Sequence, residues 1–572
     1  MKKNVIPGFN GSISGNASTN QRYNGNLALN YNPGKINISG LYGYWQSYNP
    51  RTFTDFRKVI DGTGEEINFD LRNIALGRPR SHTATISIDY QPNDKNSASL
   101  SGTLFDLYSA RNSDVITLEK TGSGILNDFS TSRMEIDNES EYEISLSAEH
   151  QFKKADHSIS LEAEYADFRE LEDSRFKDMY RFPLYPEFSG RNRLNKSGHS
   201  TFFSADYVNP INEDLEIEAG YEGEFSAGDL DYISSYLDDK VQIWKIDAVK
   251  TNRFLYSQDI HALYGTLSKN FESFEFLAGI RAEQTIIESN LVTLDSMIPN
   301  SYFKLFPTLH LLYEIDDKQE VGFSYSRRVN RPDADELNPF PEYVDVRDIE
   351  AGNPLLKPEQ VHSFELAYHF RNDHITFLPT LYFRNVFDAF TEEVRYINDS
   401  TLLTTIENLD QEISGGLEMT FAWNPSRAWN MNLNSNLFYQ QIDATDLGYV
   451  ENKSTVATDT KLAVYLQMFP STRLQLNSTF RSSLLTSQGR SLPVYFVNAG
   501  LKQDLFKKKA SLSITVSDVF NSLRWQYIID TPLLYQKVTR KRKSQVVYLG
   551  FTYHFGFSNK KNGEELIFDT KM

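Results

Sequence analysis

Residues 274–283 read FEFLAGIRAE, and the spacing of apolar side chains in this stretch decides the fold class. The apolar side chains fall on alternate positions: Phe274, Phe276, Ala278, Ile280 and Ala282. The opposite face carries Glu275, Gly279, Arg281 and Glu283. A period of two places one apolar face on a β-strand, whereas an amphipathic helix needs a period of 3.6. The stretch therefore predicts a strand with one apolar face.

The same alternation recurs along the whole chain, for example in residues 158–165, 363–370 and 547–555. The apolar face is similar in each, and acidic residues repeatedly lie on the second face. A soluble sandwich seldom needs this many equally long strands from one chain. A closed barrel does, and we therefore favour a barrel.

The connectors between the strands alternate between short and long. The short, turn-like connectors are residues 32–34, 91–96, 153–156, 209–214, 316–318, 371–373 and 424–426. The long polar connectors are near residues 46–79, 110–138, 170–197, 228–257, 285–303, 330–359, 388–410, 442–455 and 519–543. Outer-membrane barrels have this asymmetry. We predict an all-β fold, a large transmembrane antiparallel β-barrel of about 22 strands with short periplasmic turns and long extracellular loops.

Composition agrees with a barrel in the outer membrane of a Gram-negative cell. The mean hydropathy of -0.47 and the absence of a long apolar run exclude a helical membrane protein, but not a barrel that alternates lipid-facing and lumen-facing residues. The net charge of -18 argues against a nucleic-acid partner. The chain has no Cys, which excludes disulfides and Cys-ligated metal sites. No linker divides the chain into domains.

Three sequence segments resemble a known family. Residues 325–332 (YSRRVNRP), 337–340 (LNPF) and 352–359 (GNPLLKPE) resemble the signature of the outer-membrane β-barrel family found in TonB-dependent receptors of Bacteroidetes-type bacteria. Residues 2–11 resemble the junction between plug and first barrel strand, and residues 553–557 resemble the terminal strand.

The resemblance implies a division into residues 1–7 as a remnant of the plug-to-barrel junction, 8–557 as the barrel and 558–572 as a polar tail. It also implies a receptor or transporter that binds and imports a scarce or bulky substrate. The family's N-terminal plug is missing from this chain and no secretory signal precedes the first strand, so we expect a plug-less portion or truncated form. Iron chelates, cobalamin-like cofactors, oligosaccharides and peptides all stay open as substrates.

The signature segment mixes arginines with turn-forming residues and with acids such as Asp345 and Asp348. Its candidate site residues are Arg327, Arg328, Arg331, Pro332, Asn338, Pro339, Phe340, Gly352, Asn353, Pro354, Pro358 and Glu359. They could hold a ligand at the mouth, or the Pro and Gly residues could fold a long loop over the rim. We favour the structural interpretation, because Pro and Gly set backbone shape whatever the ligand.

A second candidate is an acidic stripe on the predicted lumen face. It consists of Glu162, Glu164, Glu216, Glu218, Glu222 and Glu224. Clustered carboxylates attract cations or the basic groups of a plug. Contact with a plug or plain solvation is favoured over a cation site, because lumen faces are usually polar and wet.

Other chemistry finds little support. The ten His residues show no metal-binding spacing, and no nucleophile or phosphate-binding motif meets a helix, so we predict no enzyme, no metal and no cofactor. The basic segment Arg540, Lys541, Arg542 and Lys543 either binds lipopolysaccharide phosphates or is a solvated loop end, and both interpretations stay open.

The expected partners are outer-membrane lipid and lipopolysaccharide, a surface lipoprotein, and the TonB system only through the missing plug region. The barrel is expected to be monomeric. The alternative function is a passive outer-membrane pore or surface-adhesion barrel without energised transport. An outer-membrane hydrolase is a third, much weaker hypothesis, since a fold does not determine a function.

Overall fold

The computed structural model describes residues 8–60, 64–343, 348–397, 401–447 and 453–556. Within these residues most of the chain is β-strand, and no helix there is long and apolar enough to cross a membrane. The predicted junction at residues 1–7, the polar tail at 558–572 and Asp345 lie outside the described residues.

The strands are numbered in chain order. They are β1 (Gly8–Ser18), β2 (Tyr23–Asn32), β3 (Ile36–Gln46), β4 (Asn49–Ile60), β5 (Glu66–Gly77), β6 (Arg80–Asn93), β7 (Asn96–Thr121), β8 (Gly124–Gln151), β9 (Ser158–Phe182), β10 (Phe188–Pro210), β11 (Leu215–Asp238), β12 (Ile243–Ile246), β13 (Asn252–Phe271), β14 (Phe274–Leu291), β15 (Ser296–Asp316), β16 (Gln319–Asn330), β17 (Glu342–Tyr343), β18 (Asp348–Glu350), β19 (Glu359–Arg371), β20 (Ile375–Phe387), β21 (Phe390–Tyr396), β22 (Leu402–Asn408), β23 (Gln411–Ser426), β24 (Trp429–Asp443), β25 (Lys453–Phe469), β26 (Thr472–Arg481), β27 (Gly489–Ser491), β28 (Val494–Leu505), β29 (Ala510–Ser517), β30 (Trp525–Asp530), β31 (Leu534–Arg542) and β32 (Val546–Gly556). One α-helix, α1 (Ala334–Leu337), and short 3₁₀ segments at Val292–Leu294, Thr445–Leu447 and Phe506–Lys508 complete the described secondary structure.

A closed barrel of 22 antiparallel strands forms the body of the molecule. Its strands are β1–β3, β6–β11, β13–β16, β19, β20, β23–β26, β28, β29 and β32. The first strand closes the barrel on the last, with a register that runs from Asn10↔Gly556 to Ser18↔Tyr548. Closure leaves no strand edge exposed to lipid. This matters because unpaired backbone groups are not tolerated in the membrane interior. The predicted fold class and strand number are confirmed.

The barrel wall follows the predicted alternation. Ile280 is 53% exposed on the outer surface, while its neighbour Arg281 turns inward and donates to Glu222. Leu549 and Phe551 of the last strand are likewise exposed outward. Apolar side chains that meet no protein partner are stable there because they face hydrocarbon.

Several predicted connectors are in fact strand. β7 and β8 are 26 and 28 residues long, whereas a strand needs only about 9–11 residues to cross a bilayer. Their pairing continues to Thr121↔Gly124, so the predicted connector 110–138 is a paired hairpin. Residues 170–197, 228–257 and 285–303 are also mostly strand. Above the membrane both faces of a strand meet water, so the apolar alternation ends while the backbone hydrogen bonds between strands continue.

Five further strands widen the wall above the membrane on one side. β5 pairs with the outer half of β7, β4 with β5, β31 with β4, β30 with β31 and β27 with β30. We call these five strands the outer wall. They come from the connectors near both ends of the chain, which barrel closure brings side by side.

A small second sheet forms from two other connectors. Its order is β17, β18, β22, β21, and β18 runs parallel to β22. We call it the mouth sheet. It is built from the segments that join β16 to β19 and β20 to β23, so the signature segment supplies half of it.

Candidate functional site at the barrel mouth

The mouth sheet packs against the outer wall through a buried apolar cluster. Val394 and Leu402 of the mouth sheet are buried with four wall residues: Val59, Phe69, Ile529 and Leu534. Complete burial of one such side chain contributes about 1.5–3 kcal/mol. The mouth sheet is therefore a packed element and not a loosely attached loop.

A buried ion cluster fastens the same two elements. Arg57 of β4 donates to both carboxylate oxygens of Asp348 at 2.6 and 2.7 Å, and through Nε to Asp55 at 2.8 Å. The amide of Gln536 donates to the same Asp55 oxygen at 2.8 Å. Burial raises the pKa of Asp55, and Arg57 opposes that rise. Bidentate geometry fixes both distance and angle, so this cluster orients β18 against the wall.

The outer edge of the mouth sheet is also paired. The side-chain amide of Gln488 accepts from the backbone N–H of Val394 and donates to its carbonyl oxygen, each at 2.8 Å. The hydroxyls of Ser487 and Thr391 are 2.8 Å apart. Because β21 is an edge strand, a side chain that mimics a neighbouring backbone satisfies groups that would otherwise lack a partner.

On its other side, the signature segment packs against the inner face of the barrel wall. Leu337, Phe340 and Leu356 are buried among wall residues, which are Leu230, Tyr232, Phe254, Tyr256, Ile287 and Leu291. The prolines Pro332, Pro354 and Pro358 border the same contact. The mouth is therefore crossed by an element that is anchored on two separate stretches of wall.

Close backbone contacts shape the signature segment. Glu336 accepts from the backbone N–H of Asp333 at 2.9 Å, which caps α1. Gly352 donates to the carbonyl of Asn338 at 2.7 Å, and a Cβ at this glycine would lie only 2.6 Å from the carbonyl oxygen of Asp335. Glycine is needed here because the two backbone segments approach so closely.

The polar signature residues also have structural partners. Arg331 contacts Glu283 and lies 3.3 Å from the Thr285 hydroxyl. The remaining contacts are Arg327 to Gln360 at 2.6 Å, Asn338 to the N–H of Phe340 at 3.2 Å, Asn353 to Glu407 at 2.8 Å, and Glu359 to Asn330 at 2.7 Å. The Arg328 side chain is exposed and forms no hydrogen bond or ion pair with a described residue, and no such contact involves the side chain of Pro339. The ligand-holding role of this set stays a prediction.

The predicted acidic stripe lies on the lumen face of neighbouring strands. In the register, Ser204 of β10 lies between Glu162 and Glu222, and Phe202 lies between Glu164 and Glu224. Glu222 accepts from Arg281 at 2.6 and 3.0 Å, and Glu218 accepts from Thr266 at 3.3 Å. Glu216 lies opposite Pro210 near the periplasmic end of β10. The strand wall therefore already neutralises part of the stripe.

Sequence reasoning missed the continuation of this stripe above the membrane. Asp137, Glu139 and Glu170 bring carboxylate oxygens within 4.8 Å of one another. Burial, together with Glu135 and Asp137, raises the pKa of Glu172 to about 7. Acids at every second position from 135 to 143 were the available signal, but that stretch was assigned partly to a connector. We give the name acidic column to the predicted stripe together with Asp137, Glu139, Glu170 and Glu172. Its residues lie on β8, β9 and β11.

In the basic segment, Arg540, Lys541 and Arg542 are the last residues of β31, and Lys543 follows the strand. Arg540 lies opposite Phe53, and Arg542 opposite Arg51, on the face of β31 that is turned to the mouth. Burial and the nearby guanidinium of Arg22 lower the pKa of Arg542 to about 10. Lys541 and Lys543 are exposed. Arg540 is exposed as well, and the lipopolysaccharide contact of this segment stays a prediction.

Between the mouth sheet and the outer wall lies a cavity of about 160 Å³. Its lining includes Arg540, Asn73 and Tyr527 from the wall and Thr404 from the mouth sheet. No signature candidate and no member of the predicted acidic stripe is among its described lining residues. This cavity is larger than the cavity of about 10 Å³ that borders Pro332, Pro354 and Pro358.

Comparison with known proteins places the fold. The sequence profile of a family described as "Outer membrane protein beta-barrel family" matches residues 150–553. No curated protein matches the chain.

Solved structures resemble the chain over almost its whole length. The structure titled "Copper transporter OprC" has a TM-score of 0.65 at 10% identity, covering 97% of this chain and 81% of that one. The ferric yersiniabactin uptake receptor FyuA from Yersinia pestis has a TM-score of 0.60 at 12% identity, covering 97% and 81%. The ferric citrate transporter FecA has a TM-score of 0.57 at 12% identity, covering 97% and 80%. At such identities the likeness is one of fold.

Proposed function

Since the chain belongs to the outer membrane protein beta-barrel family and resides in the outer membrane, we propose that it is the barrel of a TonB-dependent receptor that binds and imports a scarce or bulky substrate. The substrate would be captured at the outer mouth. Transport would draw its energy from the TonB system, acting through a plug region.

The observation that carries this proposal is the mouth sheet. It spans the opening between two stretches of wall and is held by apolar clusters on both sides and by the Arg57–Asp348 ion pair. A passive pore needs an open mouth, and an adhesion barrel presents its connectors outward. A receptor needs structured groups that close over a ligand, which favours the receptor over the alternative.

The structural neighbours support the same class. Their titles describe copper transport, uptake of ferric yersiniabactin and ferric citrate transport. We propose import for this chain as well, without transferring any of these substrates to it. Outer-membrane lipid, lipopolysaccharide and a surface lipoprotein complete the proposed partners, and the barrel would act as a monomer.

Uptake in cells tests the proposal. Three strains of the native bacterium would be compared, the wild type, a deletion of this gene and a deletion of tonB, and the compounds removed from the growth medium would be identified by mass spectrometry. We expect at least one compound that only the wild type depletes, and complementation should restore its uptake. Depletion that requires this gene but not tonB would instead support the passive pore.

A further inference from the structure

We propose that the cavity beneath the mouth sheet binds a neutral, polyhydroxylated group, such as one sugar unit of the substrate. This inference rests on the proposed function, because it names the substrate class for the same mouth. It is argued from the groups that line the cavity, their burial and their charges.

The cavity is large enough for a small ring. Its volume of about 160 Å³ far exceeds the roughly 10–15 Å³ that a cavity needs to hold one water molecule, so a small ring fits. One side is formed by Ile349 and Thr404 of the mouth sheet, and the other by residues of the outer wall and of the barrel strands β7 and β8. A group bound there would contact both elements at once.

Three residues that line the cavity each carry a buried acceptor without a donor. Asp55 Oδ1, Asn73 Oδ1 and Gln536 Oε1 are buried and accept no hydrogen bond from any described residue. All three residues line the cavity, and Asp55 and Gln536 are only 2% and 3% exposed. Buried acceptors normally have a donor, because leaving one unsatisfied costs stability. Rotation of these side chains toward the cavity would let a ligand rich in hydroxyl groups supply the missing donors.

A preoriented donor lies on the same cavity. The guanidinium of Arg540 is held over the rings of Phe53 and Trp525, with centroid distances of 5.5 and 5.2 Å. It forms no hydrogen bond or ion pair with the described residues, so its N–H groups are available to a ligand oxygen. Burial raises the pKa of the Tyr527 hydroxyl, which therefore stays neutral and can both donate and accept.

The charges of the lining select against ions. Three cations line the cavity, Arg57, Arg133 and Arg540, and they are matched by three anions, Asp55, Asp348 and Glu350. An anionic ligand would approach carboxylates, and a cationic ligand would approach guanidinium groups. A hydroxyl group can donate to a carboxylate and accept from a guanidinium group, so a neutral polyol suits the whole lining. Phe53 and Tyr527, which also line the cavity, add apolar contact for the C–H side of such a ring.

A glycan array probed with the detergent-purified full chain tests the inference. The array would carry neutral, sialylated or sulfated, and amino-sugar oligosaccharides. We expect binding to at least one neutral glycan, and its affinity would then be measured by calorimetry. Binding restricted to charged glycans, or to no glycan, would overturn the inference.

The variant Asn73→Leu sharpens this test. It removes one unsatisfied acceptor, and the Asn73 side chain has no hydrogen bond to a described residue that the fold would lose. We expect affinity for the neutral glycan to fall at least tenfold. The matched control is Asn68→Leu on the same strand, since Asn68 is outside the cavity and bonds the exposed Glu66 at 3.0 Å. Equal affinity of N73L and N68L would overturn the inference.

A second variant, Arg540→Gln, removes the donor and should also weaken binding, while heat-modifiable mobility on gels confirms that each variant folds. Binding on purified protein does not depend on TonB. Uptake that needs this gene and tonB, without glycan binding, would refute the inference and leave the proposed function standing. Glycan binding with TonB-independent uptake would support the inference and refute the proposed function.

Discussion

The barrel wall and the mouth of this protein are held together in different ways. In the wall, each strand carries its own apolar face, and pairing joins neighbours close in the chain, as in β13 with β14. At the mouth, the decisive contacts join distant residues: Arg57 and Asp348 are 291 positions apart, and Asp55 and Gln536 are 481 apart. The wall is thus specified locally, whereas the mouth exists only after the barrel has closed.

Among changes that affect the mouth but not the barrel wall, Arg57→Met is expected to cause the largest loss of stability. Removing one member of a buried ion cluster leaves the other charges uncompensated, which costs about 3–5 kcal/mol. Because the outer wall is otherwise intact, we expect loss of hydrogen-exchange protection in β18 and β22 and little change in the membrane-level strands. The triple variant R57M/D55N/D348N should recover part of the protection. Uniform loss throughout the barrel would contradict the separation of the two regions.

Ile280→Arg is the opposite test, because it should destabilise the barrel wall and leave the mouth unchanged. A charged side chain on the lipid face near the bilayer centre costs about 2–4 kcal/mol. The free energy of unfolding measured in lipid bilayers should fall by this amount, while the mouth contacts keep their geometry. Leu533→Arg, in the exposed turn between β30 and β31, is the control. A loss of equal size at Leu533 would show that lipid contact is not the cause.

A smaller effect is expected from Gln488→Leu. This change removes the two amide contacts with the backbone of Val394, and unsatisfied buried groups cost about 1–3 kcal/mol. Limited proteolysis should detect faster cleavage within β21. Gln545→Leu is the control, since its amide contact with the Val519 carbonyl is exposed. Unchanged cleavage of Q488L would mean that the edge of the mouth sheet needs no partner.

The smallest effect is a pH dependence in the acidic column. The raised pKa of Glu172, about 7 against an ordinary 4.5, means that the folded state binds more protons than the unfolded state between these values. Its contribution to stability is therefore complete below about 4.5 and is lost as the pH rises through 7.

Thermal unfolding followed between pH 4.5 and 8 measures this dependence. We expect Glu172→Gln to reduce the change of unfolding temperature with pH. Glu275→Gln, on the distant strand β14, should leave that change as it is in the wild type. A profile in E172Q as steep as in the wild type would assign the dependence to other groups.

The comparison also shows how far sequence reasoning reaches. Residues 274–283 and 547–555 predicted strands correctly, because contact with lipid imposes an alternation that each strand displays by itself. The paired strands within the long connectors 110–138 and 170–197 were not predicted, because strands outside the membrane need backbone pairing but no apolar face. For the same reason Asp137, Glu139 and Glu170 were not recognised as parts of one inner face.

The amino-acid sequence alone determined that this chain forms a large β-barrel in the outer membrane, since a repeating lipid-facing side chain is a local property. Tertiary structure alone decided that Asp55, Asn73, Gln536 and Arg540 share one cavity. These residues come from connectors near opposite ends of the chain, and only closure of the barrel brings their strands into register.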